Sequence, residues 1–136
     1  DVCSSDLAGW GRILTIASSG VVQPIRNLAM SNTIRSSLVG WSKSLSNEVA
    51  SSGITVNMLL PGKISTQRLK TLDENTAKAT GKTVEEVSAA EQAAIPAGRY
   101  GTVEEFGSVA AFLLSEPARY MTGGLIRCDG GLIRGV

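Results

Sequence analysis

Histidine is absent from this 136-residue sequence, and cysteine occurs only twice. The absence of histidine removes both the commonest metal ligand and the commonest general base of enzymes. Cys3 and Cys128 lie near opposite ends of the chain, and neither belongs to a CxxC pair. Their spacing therefore offers no zinc signature and no disulfide framework. We expect no metal site in this chain.

A strong charge imbalance is also lacking. The sequence has 13 Lys and Arg against 12 Asp and Glu, a net charge of +1, and only 4% aromatic residues. Without a basic block or a stacking platform, we expect neither a nucleic acid nor a membrane surface as partner. Apolar runs such as Val109–Leu114 are too short to cross a bilayer. No secretory signal is visible, which favours the cytoplasm.

The first seven residues, DVCSSDL, resemble a translated sequencing adapter rather than protein. We interpret them as a non-native leader and exclude them from fold reasoning. We expect residues 8–136 to be the C-terminal part of a single domain whose natural chain continues upstream of Ala8.

Two β-rich segments flank a long helical pattern. Gly11–Ala17 and Ile54–Leu60 predict buried strands that end at Ser-Ser-Gly and Pro-Gly turns. Between them, apolar residues at spacings of three and four predict a helix over about 28–51, with Asn27 as its N-cap and Gly53 as its stop. A strand, a helix and a second strand in this order predict a right-handed, parallel βαβ unit.

The rest of the chain predicts further helices and a last short strand. Thr83 and Thr102 each begin a Thr-Val-Glu-Glu sequence, which is the signature of a capping box at a helix start. Leu125–Cys128 is the last β-rich segment. The order β-α-β-(α-α-α)-β predicts an α/β fold with about three parallel strands and flanking helices.

Three long motifs then occur in the order and at the gaps found in one family. They are GRILTIASSG, GITVNMLLPGKIST and IPAGRYGTVEEFGSVAAFLLSEPARYMTGGLIRCDGG. Residues 11–132 resemble the C-terminal half of short-chain dehydrogenase/reductases, especially the 3-oxoacyl-[acyl-carrier-protein] reductase branch. The resemblance implies a Rossmann-type, doubly wound parallel sheet, with NAD(P)(H) at the carboxyl ends of the strands. It also implies hydride transfer to or from a small-molecule carbonyl or alcohol.

In this family a Tyr and a Lys four residues apart on one helix deliver a proton to the substrate oxygen. The resemblance places Met30 at the Tyr position and Ile34 at the Lys position, and it matches Ser18 to the family's substrate-binding serine. We interpret Met30 and Ile34 as part of an apolar stripe that joins the core, which impairs catalysis. Arg35 is adjacent, but one residue turns a helix by about 100°. We interpret it as solvated unless the register shifts.

The turn PGKIST matches the family's PGxxxT turn after a strand. The resemblance makes Pro61, Gly62, Ile64 and Thr66 cofactor-binding positions, with the Ile64 backbone against the nicotinamide carboxamide. Gly62 permits close backbone approach. The alternative is a plain strand-to-helix turn in which Thr66 caps the next helix. The segment 67–97 would cover the substrate, and its composition does not reveal which substrate.

The sequence leaves two functions open. The first is a fragment of an NAD(P)-dependent oxidoreductase that is impaired or inactive as given, because the family's glycine-rich phosphate turn has no counterpart here. The second is a non-catalytic family member that binds a nucleotide or serves as an oligomeric scaffold. By resemblance, the helices at 28–51 and 102–115 would form the contacts of a homo-oligomer.

Overall fold

A computed structural model of the protein describes residues 8–135. The seven residues that the sequence analysis interprets as a leader lie outside the described residues. Within residues 8–135, the helices and strands in chain order are β1 (Gly11–Ile16), α1 (Ala29–Val49), β2 (Ile54–Pro61), α2 (Gln67–Thr80), α3 (Val84–Ala93), α4 (Val103–Leu113) and β3 (Leu125–Cys128).

The described strands form one parallel sheet in the order β1-β2-β3. Gly11 of β1 pairs with Ile54 of β2, and Met58 of β2 pairs with Leu125 of β3. Parallel neighbours need a crossover, and α1 supplies it between β1 and β2. The predicted α/β class with a three-stranded parallel sheet is confirmed.

Strand β2 is the centre of the core. All seven residues of Ile54–Leu60 are buried, as expected of a strand covered on both faces. Side chains alternate between the faces of a strand, and Met58 and Leu60 pack with Leu38 and Val39 of α1. Full burial of such an aliphatic side chain stabilises the fold by about 1.5–3 kcal/mol. The strand that leads to the Pro-Gly turn is therefore rigidly held.

Sequence signals fix most of the helix ends. The capping boxes predicted at Thr83 and Thr102 are both present, and Gly53 ends the long helical segment with a left-handed φ of +74°. The predicted N-cap at Asn27 is wrong. The N-cap of α1 is Leu28, without a side-chain hydrogen bond, and Asn27 lies in the preceding loop with φ +63°. No helix in the described part of the chain is both long and apolar enough to cross a membrane.

Candidate active site

A cavity of about 980 Å³ opens at the carboxyl ends of β1 and β2. Ala17 and Ser18 directly follow β1, Pro61 ends β2 and Gly62 follows it, and all four residues line the cavity. Open parallel sheets bind their ligands at this edge, beyond the carboxyl ends of the strands. The topology therefore makes this cavity the candidate active site.

Ser18 is held in the cavity wall by the turn that follows β1. Its Oγ accepts a hydrogen bond from the Gly20 N–H at 3.1 Å and so caps the short 3₁₀ turn Ser19–Val21. A hydroxyl oxygen that accepts one bond still carries its own proton and can donate it to a ligand oxygen. The structure places Ser18 at the strand end and in the cavity, although its turn-capping contact is also ordinary turn chemistry.

The first turns of α1 present a second hydroxyl and a guanidinium to the same cavity. Ser31 and Arg35 both line it, one helical turn apart. The Arg35 Nε–H donates to the Ser31 Oγ at 3.3 Å, and its Nη1–H donates to the Ala17 carbonyl oxygen at 3.0 Å. Arg35 thereby joins α1 to the end of β1 and fixes the Ser31 hydroxyl in the wall.

Met30 and Ile34, which the resemblance places at the reactive positions, are not among the residues that line the cavity. Met30 is 75% exposed and Ile34 is 61% exposed, so the prediction that they join the core is wrong. The interpretation of Arg35 as a solvated residue that faces away from the site is also wrong. Successive helix residues are about 100° apart, so a one-residue error in register is enough to assign the reactive positions to residues that lie beside the cavity-facing side and not on it.

Small buried residues of α1 show which face points inward. Ser42 and Ser46 are only 3% and 1% exposed. Residues three or four positions apart lie on the same face of a helix. The face that carries Ser46 and Ser42 therefore continues toward the N-terminus through Leu38, Arg35 and Ser31. This face was not predicted from the sequence, because the helix prediction followed the spacing of the large apolar residues. The regular spacing of the serines was the available signal.

The loop after β2 is pinned by a single parallel β-bridge between Ile64 and Gly101. The Gly101 N–H donates to the Lys63 carbonyl at 3.0 Å, and the Ser65 N–H donates to the Gly101 carbonyl at 2.8 Å. Ile64 lies between these two bonds, and its own amide and carbonyl take no part in them. Ile64 lines the cavity, so its N–H and C=O groups lie at the cavity wall on a backbone segment that the bridge holds in place.

Gly62 and Thr66 flank this segment, and both have structural roles. A Cβ on Gly62 would lie 2.5 Å from the Asp129 Cα, so only glycine fits where the loop passes the segment after β3. The Thr66 Oγ1 accepts a hydrogen bond from the Leu69 N–H at 3.3 Å and caps α2, which is the alternative role expected from the sequence. Both residues also line the cavity.

Helices α2 and α3, from the segment predicted to cover the substrate, form a further wall of the cavity. Its carboxylates are engaged. Asp73 accepts a hydrogen bond from the Tyr100 hydroxyl at 3.0 Å, and Glu91 forms an ion pair with Lys63. Burial raises the pKa of Tyr100, and the contact with Asp73 raises it further. Among residues 8–135, no three His, Cys, Asp or Glu side chains form a group that could hold a metal ion.

Comparison with known proteins identifies the family. The enoyl-(acyl carrier protein) reductase model matches residues 3–133, nearly the whole chain. The chain therefore belongs to the short-chain dehydrogenase/reductase family of oxidoreductases, as the resemblance predicts. The match begins inside the seven residues interpreted as a leader, and that interpretation stays a prediction.

Particular relatives place the chain near 3-oxoacyl-[acyl-carrier-protein] reductases. It is 40% identical to FabG of that name from Salmonella typhimurium (strain LT2) over 124 residues, 90% of this chain and 46% of that protein. It is 35% identical to the NADPH-dependent reductase BacG of Bacillus subtilis (strain 168), over 93% of this chain and 49% of that protein. The solved structure of YwfH, an NADPH-dependent reductase involved in bacilysin biosynthesis, superposes with a TM-score of 0.91 at 33% identity, over 97% of this chain and 50% of that one. The chain spans about half the length of these relatives.

Proposed function

We propose that this chain is the C-terminal part of an NAD(P)(H)-dependent oxidoreductase that transfers a hydride between its cofactor and a small carbonyl or alcohol, as in 3-oxoacyl-[acyl-carrier-protein] reductases. The observation that supports this most directly is the cavity at the carboxyl ends of β1 and β2. Ser18, Ser31 and the turn Pro61 to Thr66 meet there. We place this activity in the cytoplasm.

The cofactor is proposed to lie along that turn, at Pro61, Gly62, Ile64 and Thr66. The bridged loop supports the fit because it holds the Ile64 amide and carbonyl in place without using either in its two bonds. The Thr66 hydroxyl caps α2 as an acceptor and can still donate its own proton. When bound, the nicotinamide supplies or accepts the hydride. The name of the Bacillus subtilis relative specifies NADPH.

Two hydroxyls of this chain are proposed to hold the substrate oxygen. Ser18 and Ser31 each accept a hydrogen bond from a fixed donor, Gly20 N–H and Arg35 Nε–H, which leaves their own protons for the substrate. A cation beside the Ser31 hydroxyl favours negative charge that develops on a substrate oxygen. Toward the substrate oxygen, Arg35 acts through Ser31 as a positioning residue.

Turnover is proposed to be weak. The hydroxyl of Ser31 releases its proton less readily than the phenol of the tyrosine that the family uses to protonate the substrate oxygen. A positioned general acid is worth about 10²–10⁴-fold in rate. The sequence also has no glycine-rich turn for the cofactor phosphates. The 136-residue chain by itself is therefore proposed to be inactive.

One observation favours assembly as a second role. Met30, Ile34 and Trp41 are 75%, 61% and 50% exposed and lie on one side of α1. Contiguous exposed apolar side chains mark interaction surfaces. We propose that this face of α1, with α4, packs against a second copy of the chain. If the complete protein assembles in this way but does not catalyse a reaction, it is proposed to act as a nucleotide-binding or oligomeric scaffold protein.

The activity is tested on the protein translated from the complete coding sequence around this chain. Calorimetric titration with NADPH and NADH, followed by assays of NADPH oxidation with acetoacetyl substrates, should show binding and slow oxidation. Failure to bind either cofactor at millimolar concentration would contradict the oxidoreductase proposal. Cofactor binding without oxidation of any carbonyl would favour the scaffold role.

Assembly is tested by light scattering coupled to size-exclusion chromatography. The double variant Ile34→Glu/Trp41→Glu should lower the oligomeric mass, because it places two charges in the apolar face. Ser36→Glu is the matched control, since Ser36 is exposed on another side of α1. An unchanged mass in the double variant would refute the contact.

A further inference from the structure

We propose that the cavity selects a substrate with a carboxylate group, and that Arg35 is the residue that holds it. This inference rests on the proposed function, because it names the substrate class of the same cavity. Three observations carry it: the charge of the cavity wall, the fixed position of Arg35 and the two hydroxyls beside it.

The cavity wall carries more positive charge than the chain as a whole. Its charged side chains are four cations and two carboxylates: Arg26, Arg35, Lys63, Arg68, Asp73 and Glu91. The entire sequence has a net charge of only +1, so a general excess of basic residues does not explain this wall. Both carboxylates already have partners within the protein.

The cavity's three arginines are left without carboxylate partners. Lys63 pairs with Glu91, whereas none of the ion pairs formed within residues 8–135 includes Arg26, Arg35 or Arg68. Arg26 and Arg68 are exposed, and Arg35 is half-buried in the wall. Partial burial of a cation without a counter-ion costs free energy. An anionic ligand in the cavity would offset that cost.

Arg35 is pre-positioned to bind such a ligand. Its guanidinium has five N–H donors, and the contacts with Ala17 and Ser31 occupy two of them. Those contacts fix the plane of the group, so little conformational entropy is lost when a ligand binds. A carboxylate can accept two parallel hydrogen bonds from one guanidinium, which gives geometric selectivity as well as affinity.

The neighbouring hydroxyls indicate what the rest of the ligand carries. Ser18 and Ser31 line the same cavity as Arg35 and can donate to a carbonyl oxygen. A ligand with a ketone close to a carboxylate would satisfy the hydroxyls and the guanidinium together. The substrate class inferred from this arrangement is a short oxo acid.

The test compares two ligands of about the same size that differ in charge, acetoacetate and acetoacetamide. Each is titrated calorimetrically into the complete protein loaded with NADP⁺, which cannot reduce a ketone, so that binding is measured without turnover. Acetoacetate should bind about tenfold or more tightly than acetoacetamide. Added salt should reduce this gap in affinity between the two ligands. Inorganic phosphate is a third probe and should compete weakly.

Variants assign the preference to Arg35. Arg35→Gln should reduce the gap between the two ligands to about twofold or less, while Arg35→Lys should keep part of it. Arg119→Gln removes an exposed arginine away from the cavity and should leave the gap unchanged. If Arg35→Gln does not fold, the double variant Arg26→Gln/Arg68→Gln should narrow the gap in its place.

Equal affinity for the two ligands, absence of binding by both, or a full preference in a folded Arg35→Gln would each overturn the inference. Phosphate that binds as tightly as acetoacetate and depends on Arg35 would show a phosphate site instead, which also overturns it. The titrations are repeated without cofactor. Failure to bind NADP⁺ then counts against the proposed function, while the cofactor-free titrations still decide the charge preference.

Discussion

Two buried polar residues on β2 should respond in opposite ways to removal of their polar groups. Asn57 is 1% exposed, its Nδ2 donates to the Met121 carbonyl at 2.6 Å, and its Oδ1 accepts from the Gly124 N–H at 3.1 Å. These bonds tie β2 to the segment that leads into β3. Thr55 lies two residues earlier on the same face and is 4% exposed, and its hydroxyl has no hydrogen-bond partner among the described residues.

The magnitudes follow from which groups are left unpaired. Asn57→Ala removes two hydrogen bonds and leaves a backbone carbonyl and a backbone N–H without partners, each at a cost of about 1–3 kcal/mol. The free energy of unfolding should therefore fall by about 2–6 kcal/mol, a large part of the 5–15 kcal/mol typical of a domain. Thr55→Val removes an unpaired hydroxyl at nearly constant shape, so stability should stay the same or rise by about 1 kcal/mol.

Urea unfolding followed by far-ultraviolet circular dichroism and by tryptophan fluorescence measures both effects. The midpoint should move down strongly for Asn57→Ala and stay or move up for Thr55→Val, with the same slope in both. A loss of less than about 1 kcal/mol for Asn57→Ala would refute the assignment of these bonds as stabilising contacts. Equal losses in the two variants would refute the distinction between a paired and an unpaired buried group.

Two other sites give shorter tests. Gly62→Ala places a Cβ 2.5 Å from the Asp129 Cα, so the free energy of unfolding should fall by about 1–3 kcal/mol. The affinity for NADPH, measured by calorimetry, should also weaken. Gly107→Ala is the control, because its Cβ meets nothing within 4 Å, and it should leave stability unchanged or raise it. The hydrogen bond from Arg99 lowers the pKa of Glu105 from 4.5 to about 2. The ionised carboxylate therefore stabilises the folded state fully at pH values above 4.5. This stabilisation is lost as the pH falls from 4.5 toward 2. The melting-temperature difference from Glu105→Gln should accordingly be largest near neutral pH and shrink over that acidic range. A difference independent of pH would contradict the ion pair.

Much of the fold was predictable because its signals are local. Each capping box lies within four residues, the buried strand is a continuous apolar run, and Gly53 supplies the left-handed residue that ends a helix. The N-cap of α1 was not predictable in this way. Asn27 favours a helix cap and a left-handed loop position about equally, and the structure uses the second.

The candidate site was predictable only in part. Ser18 and the turn from Pro61 to Thr66 line the cavity as expected, because the ends of parallel strands share one edge of the sheet. The orientation of α1 was not predicted, because periodicity defines a helix face without showing which way that face points. On α1 the apolar residues are divided between two sides: Met30, Ile34 and Trp41 face outward. Leu38 and Val49 pack against the sheet, on the side where Ser42 and Ser46 are buried.

This orientation makes a decisive prediction about the reactive helix positions. Ser31→Tyr/Arg35→Lys would place the family's proton-delivering pair in the cavity, where Ser31 and Arg35 lie now. Met30→Tyr/Ile34→Lys would place the same pair on an exposed face. In the complete protein, the first double variant should raise NADPH oxidation with acetoacetyl substrates by up to about 10²–10⁴-fold, and the second should not. A gain from the second alone would restore the register expected from the sequence, since a general acid can act only where its proton reaches the substrate oxygen.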